Sequence, residues 1–548
     1  MDKIVILDFG SQTTQLIGRR IRDMGVYTEI LPGDAPLNRE TLAETRGIIL
    51  SGSPESVYEN GVAPDKAVYE CGLPLLGICY GLQRMNYDQG GAVEPLPRRE
   101  YGRIGVTITG DDAPGVGAEN STAGGANATA ARRFLEGFPL NKGMRRFTAW
   151  MSHGDTLTRL APGFRPYGIS DTGYPAVLIH GERPWFGLQF HPEVTHCEGG
   201  TGILRAFVFA VCGAEAGWTM ERYVQELRAS LAARVGDNPV LLLISGGVDS
   251  TVAGALLLAA LPPDQVHLMY MDTGLMRKDE TTAVRAALEK LGARHLHIVY
   301  CGEEFLAALQ GLAEPEAKRK AIGDLFITIQ EREVRALGLP DSYFLAQGTL
   351  YTDLIESGKG VGKKAHLIKS HHNVGSPLVD AKRRAGRILE PLDRLYKDEV
   401  RRLGALLGVD GEVLRRHPFP GPGLAVRILG EVTAEKCDIL RDADAIFIEE
   451  LKNRRSAETG NRLYDDIWQA FAVLLPIRSV GVAGDVRKYG WVLALRAITS
   501  ADGMTADVYP FPTTDLLEIS TRITNAVKDI GRVTYDISSK PPATIEWE

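Results

Sequence analysis

The six cysteines of this 548-residue chain, Cys71, Cys79, Cys197, Cys212, Cys301 and Cys437, are scattered with no CxxC pair. That spacing signals neither a disulfide framework nor a zinc site, and a reducing cytoplasm is the expected compartment. Long apolar runs are missing too. The longest, residues 252–261, is half of the roughly 20 residues a membrane span needs, and the run at 4–7 is stopped by Asp8, so neither an export signal nor a membrane partner is expected. Positive charge is not in excess: 62 Lys and Arg against 69 Asp and Glu give a net charge of -7. This disfavours a nucleic-acid partner while allowing local basic pockets for a small phosphorylated ligand. No internal repeat or disordered composition is evident, with 44% hydrophobic and 24% charged residues.

What is present is a rhythm of short apolar strands and amphipathic helices, too long for a single core. Residues 4–7, 47–50 and 75–78 read as buried parallel strands; 202–211 as a closing helix; 218–234 as a linking helix. A second series, 240–244, 266–271, 295–299 and 342–346, repeats the βαβ pattern up to Pro420-Gly421-Pro422-Gly423. The expected fold class is α/β: two open parallel-sheet α/β domains, 1–213 and 214–423, followed by a smaller α+β domain, 424–548. Residues 110–131, rich in Gly, Ala, Asn, Ser and Thr, read as a flexible surface insertion.

Two strand-to-helix loops carry the chemistry. Cys79 lies in Gly77-Ile78-Cys79-Tyr80-Gly81, where two glycines leave room for a sharp turn and the thiol falls at a helix N-terminus. The helix dipole favours thiolate, the attacking species. Gln189-Phe190-His191-Pro192-Glu193 ends another apolar strand, and in extended backbone His191 and Glu193 project to one side. Nucleophile, base and orienting carboxylate then form an acyl-transfer triad. His153, in Met151-Ser152-His153-Gly154-Asp155, competes for the base role, but Gly154 and its polar surroundings read as a turn, so His153 is assigned a structural or substrate-adjacent place.

The second loop, Ser245-Gly246-Gly247-Val248-Asp249-Ser250, followed by Thr251, joins strand 240–244 to an apolar helix. Its backbone N–H groups and helix dipole suit a pyrophosphate. With no lysine as in GxxxxGK[ST], the α,β bond of ATP is the expected target. Asp249 is a candidate Mg²⁺ ligand, and Asp272 sits at a further strand end facing the nucleotide. Lys318-Arg319-Lys320 reads either as a solvated helix face or as part of a site. The paired histidines His371 and His372 point apart in extended backbone and give no metal site.

The first segment resembles the class I glutamine amidotransferases through Asp8-Phe9-Gly10-Ser11-Gln12, Ser51-Gly52-Ser53-Pro54, the cysteine turn and the HPE segment. The resemblance implies glutamine hydrolysis through a γ-glutamyl thioester, with the backbone N–H groups of Ser53 and Tyr80 stabilising the oxyanion. The family usually has Gly-Gly-Pro where this chain has Gly52-Ser53-Pro54, which forfeits a positive-φ option and leads us to expect a weaker or more tightly gated glutaminase. SGGVDS resembles the PP-loop ATP pyrophosphatases. Glu314 to Lys320, His417 to Gly423, Gly481 to Arg487 and Ser539 to Glu548 resemble the GMP synthetase family. That resemblance implies that Arg319, Asp485, Arg487, Lys540, Ile545 and Glu546 contact XMP, that Lys369 lies on an active-site loop, and that a homodimer forms through the C-terminal domain. Ser376 stands where the family shows a glycine, which bears on the flexibility of that loop. The function implied is glutamine-dependent amination of XMP to GMP through an adenylyl-XMP intermediate, with ATP, glutamine and Mg²⁺. A PP-loop tRNA thiolase would ask for catalytic cysteines beside the second loop and a basic RNA surface; a nucleotide-sensing regulator would not keep both sites complete.

Overall fold

The computed structural model describes residues 1–59, 61–109, 127–139, 146–350, 377–483, 486–500 and 505–548. They divide into two compact units between Tyr223 and Val224. Lys369, Asp485, Ser376 and most of the 110–131 insertion lie outside the described residues.

The first unit is built on nine strands: β1 (Lys3–Asp8), β2 (Tyr27–Pro32), β3 (Thr45–Leu50), β4 (Leu75–Ile78), β5 (Ala92–Ile108), β6 (Arg146–Arg159), β7 (Phe164–Ser170), β8 (Pro175–His180) and β9 (Trp185–Leu188). Their order is β2-β1-β3-β4-β9-β8-β7-β5-β6. The first five in that order pair in parallel, and from β9 onward every pairing is antiparallel. The sheet is thus parallel-rich rather than wholly parallel. Strands β1, β3 and β4 carry an almost unbroken buried run because the parallel half is covered on both faces.

Two sequence expectations change here. The 110–131 segment was read as flexible throughout, yet its last residues begin an ordered helix, Ala128–Leu135. Asn127 donates from Nδ2 to the His180 carbonyl at 2.8 Å, and Ala131, Phe134 and Leu135 enter the core. Alanine-rich composition looks core-poor, but alanine is the best helix former and Phe134 supplies the apolar anchor. Residues 214–223 also belong with this unit, beyond the expected limit at 213: Trp218 donates its backbone N–H to Gly25 at 2.9 Å, and Tyr223 stacks on Tyr27 at 6.3 Å.

The second unit begins with a five-stranded parallel sheet of β10 (Val240–Ile244), β11 (Val266–Asp272), β12 (His295–Tyr300), β13 (Phe344–Ala346) and β14 (Ile388–Leu389), in the order β12-β11-β10-β13-β14. Strand order reverses between β10 and β13, and open α/β sheets take ligands in the crevice outside such a point. Two-residue β14 is too short to show a pattern in sequence. Residues past Gly423 add the long antiparallel pair β15 (Gln469–Ala483) and β16 (Val486–Thr499), with β17 (Asp507–Val508) antiparallel and β18 (Ile530–Tyr535) parallel to β16. Helices Ala434–Asn453 and Thr513–Ala526 pack on them. The Pro-Gly turn expected to end a domain lies inside a shared core. Leu275 and Phe305 cluster with Leu440, Phe447 and Leu493, and a Cβ on Gly423 would sit 2.4 Å from the Leu275 carbonyl oxygen.

Candidate functional sites

In the first unit, β4 and β9 pair in register with Ile78 opposite Leu188, and the Cys79 N–H extends that ladder to the Leu188 carbonyl at 2.7 Å. The two candidate motifs are therefore neighbours at one sheet edge. Cys79 holds φ 53° and ψ -108°, a left-handed conformation that a non-glycine residue adopts at a cost of about 1–3 kcal/mol. Neither flanking glycine has room for a side chain: a Cβ would fall 2.6 Å from the Leu82 nitrogen at Gly77 and 2.2 Å from the Leu50 carbonyl oxygen at Gly81. The turn aims the thiol off the sheet and starts the helix Tyr80–Asp88, whose first N–H groups have no intrahelical acceptor.

His191 Nδ1–H donates to Glu193 Oε1 at 2.7 Å, with both side chains buried. Burial opposes a charged imidazolium, but the Glu193 carboxylate and the Cys79 sulfur outweigh it and hold His191 well above the ordinary imidazole range. Arg20 fixes the segment by donating to the Glu193 carbonyl at 3.2 Å. The structure thus brings Cys79, His191 and Glu193 together, with Ser51–Pro54 alongside: a Cβ on Gly52 would meet His191 Cε1 at 3.2 Å. Neither Gly52 nor Ser53 has positive φ, so serine at 53 imposes no backbone strain in this conformation, and the argument for a weakened glutaminase loses its premise.

His153 lies within β6, not in a turn as Gly154 suggested; irregularity in the pairing falls on β5 between Pro95 and Glu100 instead. Its Nε2 sits 3.0 Å from Glu100 Oε2, both buried and lacking hydrogen-bond alignment, while Nδ1 contacts the Asp155 carbonyl at 2.9 Å. These partners give His153 a structural place.

Glu193→Gln is expected to move the descending, high-pH limb of glutamine hydrolysis downward and to lower kcat on the order of 10²-fold. Without the carboxylate, desolvation is left to push the His191 pKa down. The sign for stability follows from the raised folded pKa: the native-state contribution of His191 is full below its unfolded value of about 6.5 and fades as pH rises through the folded one. A pH–rate profile checks this, and an unmoved limb would separate Glu193 from the base.

In the second unit, β10 runs into Ser245 to Gly247 and then the helix Val248–Ala260, with Gly246 at φ +78°. The loop is braced from within: Ser250 Oγ accepts the Ser245 N–H at 3.2 Å, and Thr251 Oγ1 donates to the Gly247 carbonyl at 2.9 Å. Gly348, past the end of β13, packs on the helix start, where a Cβ would lie 3.2 Å from the Ser250 nitrogen. The loop is therefore at the strand-order reversal, and the first N–H groups of the helix Val248–Ala260, with its dipole, are suited to receive an anion. Asp272, ending β11, accepts from the Gly274 N–H at 2.9 Å and the Thr281 hydroxyl at 2.7 Å, and so shapes its own loop.

Sequence reasoning missed Lys397. It opens the helix Lys397–Leu406, almost 150 residues from the loop, and its ammonium bonds both Asp249 oxygens at 2.6 and 2.5 Å. No local motif could have revealed it, since the pairing is tertiary. Arg416 likewise reaches the Gly246 carbonyl at 3.0 Å. Among the described residues no group of three His, Cys, Asp or Glu can hold a metal alone. Asp249 with phosphate oxygens fits the way Mg²⁺ is usually held, through one or two carboxylates and substrate phosphates. Cys301, at the end of β12, is buried and pushed up to about 12, so it is no thiolate nucleophile.

The chain's last residues are pinned by four cations in the same unit. Fully buried Arg427 grips Glu546 through two bonds at 3.2 and 2.9 Å, and Gln469 adds a third at 2.8 Å. Arg496 holds the carbonyls of Thr544 and Ile545 at 2.8 and 2.7 Å. Lys318, also fully buried, donates to Glu548 Oε2 at 2.5 Å, and Arg319 to the Glu548 carbonyl at 2.5 Å. Lys318 is therefore not on a solvated face. Arg319 reaches Glu548, two residues past Glu546, whereas Ile545 and Glu546 are held by Arg496, Arg427 and Gln469; the Lys540 backbone pairs with Ala506, and Arg487 is exposed on β16. Arg427, Arg496 and Gln469 carried no recognisable local signal.

Three family models match: Glutamine amidotransferase class-I over residues 5–211, Asparagine synthase over 222–325, and GMP synthase C terminal domain over 457–547. Among curated proteins, the GMP synthase (glutamine-hydrolyzing) of Neisseria meningitidis serogroup B is 46% identical across 100% of this chain and 99% of its own length. That of Aquifex aeolicus is 46% identical over the same shares, and that of Lactobacillus johnsonii 45% identical across 100% and 98%.

Proposed function

The chain belongs to the glutamine-hydrolysing GMP synthases, and from that premise we propose that Cys79 releases ammonia from glutamine and the second unit uses it to turn XMP into GMP. The observation that carries this reading is the gathering of Cys79, His191 and Glu193 at the edge of β4 and β9, in the same chain as a glycine-rich strand-to-helix loop suited to ATP's pyrophosphate. The Cys79 thiolate attacks the glutamine amide carbon. The N–H groups of Ser53 and Tyr80 receive the oxyanion, His191 protonates the departing ammonia, and water then frees glutamate from the thioester.

In the second unit the SGGVDS loop, Ser245 to Ser250 with Thr251, holds the β,γ-pyrophosphate while the xanthine O2 attacks the α-phosphorus. Pyrophosphate leaves; ammonia then displaces AMP at C2. Mg²⁺ held by Asp249 would neutralise phosphate charge. Lys397 must then give up Asp249, and its ammonium can follow the incoming phosphates. Arg319, Asp485, Arg487, Lys540, Ile545 and Glu546 are assigned to XMP, Asp272 to the nucleotide's side, and Lys369 to a loop over the site. We extend the reading to a homodimer through the C-terminal region, supported by exposed Ile477, Val480, Val482 and Tyr489 on β15 and β16. A cytoplasmic location is supported by six unpaired cysteines; among the described residues no helix is long and apolar enough to cross a membrane. As domains we propose 1–213, 214–423 and 424–548 with the first limit moved to Tyr223, the last two sharing one core.

Incubation with XMP, ATP, Mg²⁺ and glutamine should give GMP, AMP, pyrophosphate and glutamate in equal amounts. Glutamate without GMP would overturn the synthetase half of the reading.

A further inference from the structure

We infer that Gln189 is a positioning residue for the nucleophile, its side-chain amide selecting the thiolate form of Cys79. This rests on the glutaminase reading of the first unit and adds a residue to it. Gln189 follows β9 directly, and because Leu188 accepts the Cys79 N–H, the two residues leave adjacent strands side by side. Past β9 the chain bends at Gln189 and Phe190, and Phe190 is fully buried in the core, its ring 5.5 Å from that of Phe147, which fixes the backbone that carries Gln189.

The Gln189 Nε2–H donates to Cys79 Sγ at 3.8 Å, and the Ser152 carbonyl accepts from the same sulfur at 3.8 Å. The two contacts oppose each other. A carbonyl acceptor favours the protonated thiol; an N–H donor favours the thiolate, and in a site where Cys79 is 4% and Gln189 1% exposed neither is screened by water. Gln189 Oε1 is buried without a hydrogen-bond partner, which leaves the contact to the sulfur as the hydrogen bond its amide makes. Its donor half, on the sulfur, is the half that is used.

Other charged groups near the sulfur are fixed. His191 with Glu193 behind it supplies the cation. From β6, His153 is paired with Glu100, and Asp155 accepts from Ser56 and Tyr58. At the end of β1, Asp8 accepts from Thr14 and the Gly10 N–H. The amide is a neutral donor among them, able to stabilise sulfur anion without competing for the proton that His191 must carry.

The test is the pH dependence of Cys79 alkylation by iodoacetamide in the full-length chain, followed by mass spectrometry of the Cys79 peptide, in wild type, Gln189→Met and Gln189→Glu. Methionine keeps the length and loses the donor; glutamate keeps the shape and faces the sulfur with a carboxylate. The alkylation midpoint should rise in both, by about one pH unit in Gln189→Glu, with kcat for glutamine falling while KM stays close to wild type. Unchanged midpoints in both variants would overturn the inference. A wild-type chain that releases no glutamate, yet whose thiol midpoint still moves with Gln189, would sink the glutaminase reading and leave this one standing.

Discussion

Cys79→Ala is expected to reduce glutamine-dependent GMP formation by at least about 10³-fold while ammonium-dependent formation stays within about twofold of wild type. The thioester step requires a nucleophile at the turn after β4, and neither neighbouring core thiol suits the role: Cys197 is buried and pushed up to about 12, and burial drives Cys212 well above the usual thiol range. The proposed ATP cradle lies in the other unit, on a sheet of its own. It asks only for a nucleophilic amine, so external ammonium bypasses the first site. Because alanine is smaller than cysteine and less at odds with φ 53° than a β-branched residue, the elbow should survive the change. Parallel assays with glutamine and with ammonium chloride decide the matter. Equal losses would mean that Cys79 supports the synthetase rather than the glutaminase.

Asp249→Ala should suppress ATP cleavage and GMP formation together, on the order of 10²-fold, and leave basal glutamine hydrolysis in place. Two effects combine. The carboxylate proposed to share Mg²⁺ with the phosphates is gone, and Lys397 loses the partner that orients it over the loop. The same experiment identifies the bond that breaks. On the proposed reading, a loop of N–H groups with no lysine following it holds the β- and γ-phosphates as a leaving group, so AMP and pyrophosphate should appear in step with GMP. With XMP carrying ¹⁸O at O2, the label should be recovered in AMP, since the ring oxygen departs with the adenylyl group. ADP and labelled inorganic phosphate would instead assign γ-phosphoryl transfer and remove the pyrophosphatase assignment.

Much of this was written locally. Strands β1, β3, β4, β10 and β11 were legible because buried parallel strands leave continuous apolar runs, and both loops because glycine, cysteine and serine keep fixed spacing at strand ends. Gln189 was legible as part of a string and silent as to its role, since only the pairing of β4 with β9 sets it beside Cys79. The helix beginning at Ala128 was hidden by composition, and β14 by its two-residue length.

The sequence by itself determined the two strand-to-helix loops on which the proposed thiol nucleophile and pyrophosphate cradle rest, because each depends on contiguous residues whose backbone preferences act over one turn. Tertiary structure alone decided what surrounds them. The bond from Lys397 to Asp249, the grip of Arg427 on Glu546 and the shared core across Gly423 join residues between about 120 and 150 positions apart or more. Such pairings are set by which segments the fold brings together: the fully buried Arg427 must find a counterion and the core across Gly423 buries apolar surface, while the partly exposed Lys397–Asp249 pair follows from where the helix Lys397–Leu406 begins, and no local pattern records any of these.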